Sequence, residues 1–190
     1  MIIVDGDNAP GMNTRKINEL DARDRLIIYY ASDNKYYLNE VNRELLKQKA
    51  KCPIEFKVVK NGNCAVDFAV AMDLAVLLSI ETEGTAALIS EDKHFGTIAD
   101  HAYKINNKWL VVRASTVEEV IKHYKFLEST SPAELHESLV KLFGPHHGAS
   151  FYRRLKEMFR EKNQLNEKMQ KREPSHEFIG MSILKKILTH

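Results

Sequence analysis

The sequence predicts an α/β domain built on a parallel β-sheet, followed by a small helical extension. Through the first two-thirds of the 190 residues, short β-branched or aromatic runs alternate with longer segments of helical spacing. Most of the short runs are largely apolar, which is typical of buried strands covered on both faces. Parallel strands need crossover connections, and the helical segments supply them. We therefore expect three layers, with helices on both sides of the sheet.

The elements follow one another along the chain in a regular order. Short runs bounded by polar or turn-forming residues predict five strands: Ile2–Asp5, Leu26–Ala31, Ile54–Val59, Ala86–Ser90 and Trp109–Arg113. Segments with helical spacing lie between and after them: Tyr37–Ala50, Val66–Ile80, Phe95–Tyr103 and Val117–Phe126.

The helical segments differ in the faces that they are expected to bury. The segment Val66–Ile80 is apolar nearly all round, so we expect that helix to be deeply buried. The last segment is preceded by Ser115 and Thr116, with Glu119 following in capping-box register. The first segment should bury a single stripe, which consists of Leu38, Val41, Leu45 and Leu46.

The pattern changes near Leu127, so we place a domain boundary between residues 1–127 and 128–190. Residues 1–127 carry 17 basic and 18 acidic side chains, whereas residues 128–190 carry 11 and 8. A modestly basic extension is compatible with nucleic-acid contact and equally with a solvated helix surface. Beyond the boundary only helical spacing is found, over Ala133–Phe143, Phe151 to about Met169, and Gly180–Leu188.

Composition excludes several classes of protein. No apolar run approaches the roughly 18–20 residues that span a bilayer, so we expect no membrane contact. The two cysteines, Cys52 and Cys64, are too few for a disulfide scaffold or a four-cysteine zinc site. The start of the chain lacks the basic region of a signal peptide, which favours a cytoplasmic location.

Acidic residues gather where the predicted strands end. Asp5 ends the first strand, and Asp7 follows in the next turn. Glu91 and Asp92 come directly after the fourth strand, and Asp67 opens the helix that follows the third. The loops at this edge of an open α/β sheet converge where the strand order reverses, and ligands bind there. Carboxylates gathered at one edge repel one another unless a cation lies among them.

These acids predict a divalent metal site. Mg²⁺ and Mn²⁺ prefer hard oxygen ligands, whereas zinc fits poorly because we expect no thiolate or imidazole cluster. Each acid alone has an ordinary explanation as a turn or helix cap, and their joint placement favours a site that hydrolyses phosphodiester bonds. Asp73 is excluded because it lies about 240° round the helix from Asp67. We expect a structural ion pair or a partner contact for Asp73.

Three segments place their acids in a recurrent order: Ile2-Ile3-Val4-Asp5-Gly6-Asp7-Asn8, Asn63-Cys64-Ala65-Val66-Asp67-Phe68-Ala69 and Leu88-Ile89-Ser90-Glu91-Asp92-Lys93-His94-Phe95. Together they resemble the three motifs of the PIN-like nuclease superfamily, and within it the NYN branch. The resemblance covers about residues 1–126. It implies a three-layer PIN-like (Rossmannoid) domain that holds Mg²⁺ or Mn²⁺ and usually cleaves RNA.

The resemblance also implies roles for individual residues. Asp5, Asp67 and Asp92 match the catalytic, metal-binding acids, and Asn8 matches the Asn that orients the first motif. Many relatives carry a further Asp four residues after the third acid, where this chain has Gly96. Asp7 or Glu91 would then be the additional metal ligand.

The expected partner is RNA, most simply single-stranded, although DNA is not excluded and a homo-oligomer is allowed. Tyr36 and Tyr37 follow the second strand and offer rings for base stacking, although burial of at least one is expected. Basic residues near the same edge are candidates for phosphate contacts, namely Lys60, Lys93, Lys35 and Arg15.

Two other functions remain open from the sequence. A catalytically weak scaffold that binds RNA or protein is favoured by Gly96 in place of an acid. A phosphatase would use Asp5 as nucleophile, Asp7 as acid and the Ser90 hydroxyl, but the last strand supplies no later carboxylate.

Overall fold

The computed structural model describes residues 1–131, 134–142, 144–145, 148–149, 151–153 and 156. A short 3₁₀ helix, Ile17–Glu19, lies between the first two strands. The strands and α-helices are, in chain order, β1 (Ile2–Asp5), β2 (Leu26–Ala31), α1 (Lys35–Leu38), α2 (Glu40–Lys49), β3 (Ile54–Val59), α3 (Ala65–Ile80), β4 (Gly84–Ile89), α4 (His94–Ile105), β5 (Trp109–Ala114) and α5 (Val117–Ser129).

The described strands form one parallel sheet in the order β3-β2-β1-β4-β5. The central strand β1 pairs Ile2 with Leu26 of β2 on one side and with Ala87 of β4 on the other. The predicted α/β class with a parallel sheet is confirmed. Because β4 lies on the opposite side of β1 from β2 and β3, the strand order reverses between β1 and β4, which is where ligands bind in such sheets.

Helices cover both faces of the sheet. Val4 of β1 belongs to a buried cluster that includes residues of α1, α2 and α5. Its neighbour Ile3 belongs to a second buried cluster, formed with α3 and α4. Consecutive side chains of a strand point to opposite faces, so a continuous apolar run supplies both cores. This is the physical reason why the strand segments could be predicted from the sequence.

The predicted helix Tyr37–Ala50 is wrong in its continuity and in its buried stripe. The Asn39 side chain accepts a hydrogen bond from the Val41 N–H, and its extended backbone separates α1 from α2. Asn34 caps α1 in the same way. Asn side chains favour such caps because they satisfy backbone N–H groups that have no helical partner. Of the predicted stripe, Leu46 is buried, whereas Leu38, Val41 and Leu45 are exposed.

The prediction that the helix Val66–Ile80 is deeply buried all round is also wrong. One face of α3 is buried against the sheet through Val66, Val70, Leu74 and Leu78. The opposite side carries large apolar side chains that are more than half exposed, namely Phe68, Met72, Val76 and Ile80. Among the described residues, no further layer of structure covers that side of α3, so its apolar side chains stay exposed.

The predicted cap of α5 is confirmed. The Glu119 N–H donates to the Thr116 hydroxyl at 3.1 Å, and the Glu119 carboxylate accepts from the Ser115 N–H at 2.6 Å. These reciprocal bonds satisfy backbone donors that would otherwise lack partners at the helix start.

The chain divides into two compact units, Met1–Lys122 and His123–His190. In the second unit, residues 135–142 are helical, and Leu135 and Leu139 are buried. The boundary after Leu127 and the helical extension stay predictions, because residues 157–190, which include the predicted helix Gly180–Leu188, lie outside the described residues. None of the described helices is long and apolar enough to cross a bilayer.

Gly6 allows the turn after β1 to pass directly against β2. Its N–H donates to the Tyr29 carbonyl at 2.6 Å. A Cβ at this position would lie 2.7 Å from that oxygen and 2.8 Å from the ring of Tyr37, which is completely buried. Neither neighbour can move without disturbing the core, so only glycine fits here.

We predict that Gly6→Ala lowers the free energy of unfolding by about 1–3 kcal/mol, because the added methyl group overpacks a rigid site. Denaturant unfolding followed by circular dichroism measures the change. The matched control is Gly62→Ala, since a Cβ there meets only the Ala65 methyl at 3.7 Å. Equal stability of the two variants would contradict the close approach.

Candidate metal centre

Three side chains converge at the edge where the strand order reverses. Asp67 lies in the first turn of α3, and Asp92 lies in the connection from β4 to α4. His94 is the first residue of α4. Each offers one ligand atom, and the three atoms lie within 4.8 Å of one another. Among the described residues, these three side chains form the group that could hold a metal ion.

The distances within this cluster suit a single ion. The His94 Nδ1 atom lies 3.2 Å from Asp92 Oδ1 and 3.9 Å from Asp67 Oδ2. Ligand atoms that surround one ion at about 2.1 Å are themselves roughly 3–4 Å apart. The Asp67 side chain is 20% exposed and that of His94 is 71% exposed, so the cluster is open to solvent on the His94 side.

Local hydrogen bonds determine where these three side chains lie. Asp92 Oδ1 accepts from the His94 N–H at 2.9 Å, so a single turn carries both residues. The ring of Phe95, the next residue, is completely buried and anchors the start of α4 in the core. Cys64 adopts a left-handed conformation with φ of 53° immediately before α3. That turn starts the helix so that Asp67 lies in its first turn.

Asp5 lies beside the cluster but is not part of it. Its carboxylate is 5% exposed and accepts hydrogen bonds from the Asp7 N–H at 3.1 Å and the Asn8 N–H at 3.3 Å. It also accepts one from the Ser90 hydroxyl at 2.9 Å. Ser90 in turn accepts from the Asp92 N–H at 3.0 Å, so the serine connects Asp5 to the loop that carries Asp92. The role of Asp5 as a metal ligand stays a prediction.

Two carboxylates at this edge, those of Asp5 and Asp67, are costly to ionise. Burial raises the pKa of Asp5, and the charge of Asp67 adds to the effect. Burial also raises the pKa of Asp67, and the neighbouring charge of Asp92 raises it further. Both causes act against negative charge at the same place. A bound cation would remove the penalty, which is the electrostatic signature expected of an acidic metal site.

Asp7 and Asn8 connect the loops around the cluster. The Asp7 carboxylate accepts from the Ala31 N–H at 3.0 Å and from the Asn34 side-chain amide at 2.7 Å, so it faces the end of β2. The Asn8 side-chain oxygen accepts from the Glu91 N–H at 3.3 Å, which joins the loop after β1 to the loop after β4. These contacts give Asp7 and Asn8 positioning roles, and ligation by Asp7 stays a prediction.

The remaining predicted site residues lie in the connections around this edge and in α1. Glu91 is exposed, and its carbonyl accepts from the Arg113 guanidinium at 2.7 Å. Phosphate contacts by the basic side chains stay predictions. Tyr37 is completely buried and Tyr36 is half-buried, which confirms that at least one of the pair belongs to the core. The predicted phosphate-binding residues are all exposed, namely Lys60, Lys93, Lys35 and Arg15.

The exclusion of Asp73 is confirmed. Its Oδ2 atom accepts from the Tyr29 hydroxyl and from the Lys57 ammonium, both at 2.7 Å. These two donors lower the pKa of Asp73, with the Lys57 hydrogen bond as the larger cause. Asp73 is therefore part of a structural ion pair, as expected.

Sequence reasoning missed three residues of the site. His94 adds an imidazole to a ligand set that was expected to contain oxygen alone, and its position two residues after Asp92 was the available signal. Asn13 is 1% exposed and donates to the carbonyls of Asp5 at 2.6 Å and Asn8 at 2.8 Å. The Arg113 Nε–H donates to the Ser90 carbonyl at 3.0 Å. No motif in the sequence marks Asn13, and Arg113 acts on a carbonyl 23 residues earlier in the chain.

Comparison with known proteins adds no family to these findings. No protein-family model matches the chain, and no curated protein and no solved structure matches it either.

We predict that Asp67→Asn raises the thermal unfolding temperature of the metal-free protein at neutral pH. A carboxyl whose folded-state pKa is raised stabilises the fold only when protonated, and that contribution is lost as pH rises through the folded-state pKa. The variant removes this penalty at neutral pH. Its higher unfolding temperature relative to the wild type should disappear at pH values below the ordinary pKa of a carboxyl group. Thermal unfolding in the presence of a chelator, at neutral and acidic pH, measures both effects.

Asp73→Asn is the matched control, because it makes the same change on the same helix. The pKa of Asp73 is lowered, so its contribution to stability is present at neutral pH and is lost as pH falls through the folded-state pKa. Its substitution should lower the unfolding temperature. Shifts of the same sign in both variants would contradict this electrostatic account.

We predict that the wild-type protein binds Mn²⁺ and that His94→Ala weakens binding at least about tenfold, because one of three ligands is lost. Isothermal titration calorimetry and the electron paramagnetic resonance signal of free Mn²⁺ both report the affinity. His101→Ala is the control, since His101 lies two turns further along α4 and its Nδ1 is 3.0 Å from the Thr97 carbonyl oxygen. Unchanged affinity in the His94 variant would remove His94 from the site.

Proposed function

We propose that this chain is a metal-dependent nuclease of the PIN-like class, in its NYN branch, that hydrolyses phosphodiester bonds of RNA. The observation that carries the proposal is the convergence of Asp67, Asp92 and His94 at the reversal of strand order in a parallel sheet. A site at this place in the fold that could hold a cation is what a phosphodiesterase of this class requires.

The positions of the three sequence motifs support the proposal. Asp5 ends β1, Asp67 lies in the first turn of α3, and Asp92 follows β4. The sheet order is consistent with a Rossmann-like or PIN-like fold. The three motifs are separate stretches of the sequence. In the folded chain, Asp67 lies close enough to Asp5 for its negative charge to raise the pKa of Asp5. Stretches of unrelated purpose would have no reason to meet at one edge.

The donor set narrows the choice of metal. Carboxylate oxygens suit Mg²⁺ and Mn²⁺, and an imidazole nitrogen suits later transition metals better than Mg²⁺. Mn²⁺ accepts both kinds of donor, so we propose it as the first ion to test and Mg²⁺ as the second. Such an ion, when bound, supplies a water of lowered pKa and stabilises negative charge on the phosphate.

The chain's own residues have distinct tasks in this mechanism. Asp67 and Asp92 would hold the cation through their carboxylates, and His94 would add a nitrogen donor from the solvent side. Asp5 would contribute a further negative charge close to Asp67. The hydrogen bond from the Ser90 hydroxyl fixes the direction of the Asp5 carboxylate. These groups are in place before substrate binds, which lowers the reorganisation needed during reaction.

Substrate binding would rely on the basic side chains around the edge. Lys93 immediately precedes His94, and Lys60 follows β3. Contacts of this kind hold the phosphate backbone without reading its sequence, and DNA remains a second substrate to test. Lys35, the first residue of α1, and Arg15, in the loop that follows β1, would extend the same surface.

Two other functions have specific observations to weigh. A non-catalytic scaffold is favoured by Gly96, because a glycine supplies no carboxylate to complete the site. A larger residue would fit at this position, since a Cβ there would meet only the Arg113 side chain at 3.8 Å. An aspartyl phosphatase is disfavoured, because Asp5 is 5% exposed and its carboxylate accepts three hydrogen bonds. A nucleophile must instead present an oxygen to its substrate.

We predict that the wild-type protein cleaves labelled single-stranded RNA in Mn²⁺ and that Asp67→Asn and Asp92→Asn lower the rate about 100-fold or more. Loss of a metal ligand removes several kcal/mol of charge stabilisation, which corresponds to a change of this size. Initial rates on end-labelled RNA, measured with and without chelator, test the prediction. Binding should be measured on the same samples.

Asp73→Asn, purified in the same way, is the control and should keep the wild-type rate, because Asp73 lies outside the cluster. Equal cleavage by all preparations would identify a contaminating nuclease. RNA binding without cleavage in any divalent metal would support the scaffold instead and exclude the nuclease.

A further inference from the structure

The exposed apolar side chains of α3 form a continuous ridge, defined here as Phe68, Met72, Val76 and Ile80. Their exposed fractions are 68%, 69%, 56% and 73%. Each is four residues from the next, so they form one i±4 row along the whole helix. Burial of an apolar helix face is favourable in proportion to its area, and a bare ridge of this length marks an interaction surface.

A groove runs beside the ridge, between α3 and α4. Its volume is about 500 Å³, which is room for several large side chains. Small residues line part of it, namely Ala71, Ala75 and Ala102, and Ile98 and Ile105 provide further apolar walls. Among its lining residues, Asp67 is the only one with a carboxylate, and it lies at the end that borders the metal cluster.

We infer that this face joins two copies of the chain in a two-fold dimer, with the ridge of each copy packed against α3 and α4 of the other. The ridge and the groove lie on the same patch, which is the arrangement that a self-complementary, isologous interface requires. An i±4 row packs best against another i±4 row, at a crossing angle of about −50°. In a two-fold dimer, the i±4 row of α3 in one copy faces the same i±4 row of α3 in the other copy.

The area of the face supports a dimer of this kind. The exposed parts of the four ridge side chains amount to roughly 450 Å² per copy, from the usual areas of such side chains. Counted over both copies, the ridge alone supplies about 900 Å², which is just below the minimum of about 1,000 Å² for a specific interface, and the groove walls add the further area that is needed. The ridge carries no charge, so its burial leaves no unpaired ion.

Antiparallel packing about the two-fold axis also predicts which residues meet. The centre of the ridge lies between Met72 and Val76, so Met72 of one copy should face Val76 of the other. This expectation separates a symmetric dimer from the docking of an unrelated protein, for which the two positions need not be neighbours. The four ridge side chains are not part of the metal cluster, whereas Asp67 and His94 of the cluster line the groove beside them.

The test measures the mass of the full chain in solution by light scattering after size-exclusion chromatography, over a range of concentrations. The wild-type chain should have twice the monomer mass of 21.8 kDa. Val76→Glu and Met72→Lys, each alone, should be monomeric because they place a charge in an apolar contact. Mixed in equal amounts they should recover the dimer, since the introduced carboxylate and ammonium then face each other, and salt should weaken the recovery.

Val41→Glu is the matched control. Val41 is 66% exposed on α2, which covers the other face of the sheet, so this variant should stay dimeric. Circular dichroism and the unfolding temperature check that each variant is folded, as expected for changes at exposed positions. A monomeric wild-type chain at every concentration would overturn the inference, whichever other partner then covers the ridge. Ridge variants that remain dimeric would overturn it equally.

Discussion

The structure depends on one electrostatic constraint, the crowding of carboxylates at the reversal of strand order. Parallel strands bring the ends of β1 and β4 together, so the acids that follow them cannot avoid one another. Asp5 and Asp67 both have pKa values raised by burial and by neighbouring negative charge. A fold without a function at this edge would gain stability by replacing them with neutral residues, and their presence is the physical argument for a cation site.

Hydrogen bonds from Asn13 and Arg113 build the frame around the acids, and several of them join residues that are far apart in the chain. Asn13 holds the carbonyls of the loop after β1, and its own side-chain oxygen accepts from the buried Tyr37 hydroxyl at 3.2 Å. Arg113 of β5 holds the two carbonyls that precede Asp92. Such contacts fix ligand positions without supplying ligands, as outer contacts around metal sites commonly do. The site is therefore prepared by residues that have no chemical role of their own.

Helix α3 connects the site to the surface. Its first turn supplies Asp67, its inner face completes the core through Val70 and Leu74, and its outer face carries the exposed ridge. The apolar character of all its faces led to the expectation of complete burial, because hydropathy records a preference for burial and not whether a neighbour exists to provide it. A second copy of the chain is the neighbour that the geometry of the ridge favours.

The sequence by itself determined the strands, the parallel sheet, the cap of α5 and the convergence of acids on one edge, since these follow from short-range periodicity and from the shared direction of parallel strands. It also excluded Asp73 from the site by helix geometry alone. Only the tertiary structure decided that His94 joins Asp67 and Asp92, that Asp5 lies beside them, and which apolar surfaces stay bare. Those outcomes depend on distances between residues far apart in the chain, which local pattern does not encode.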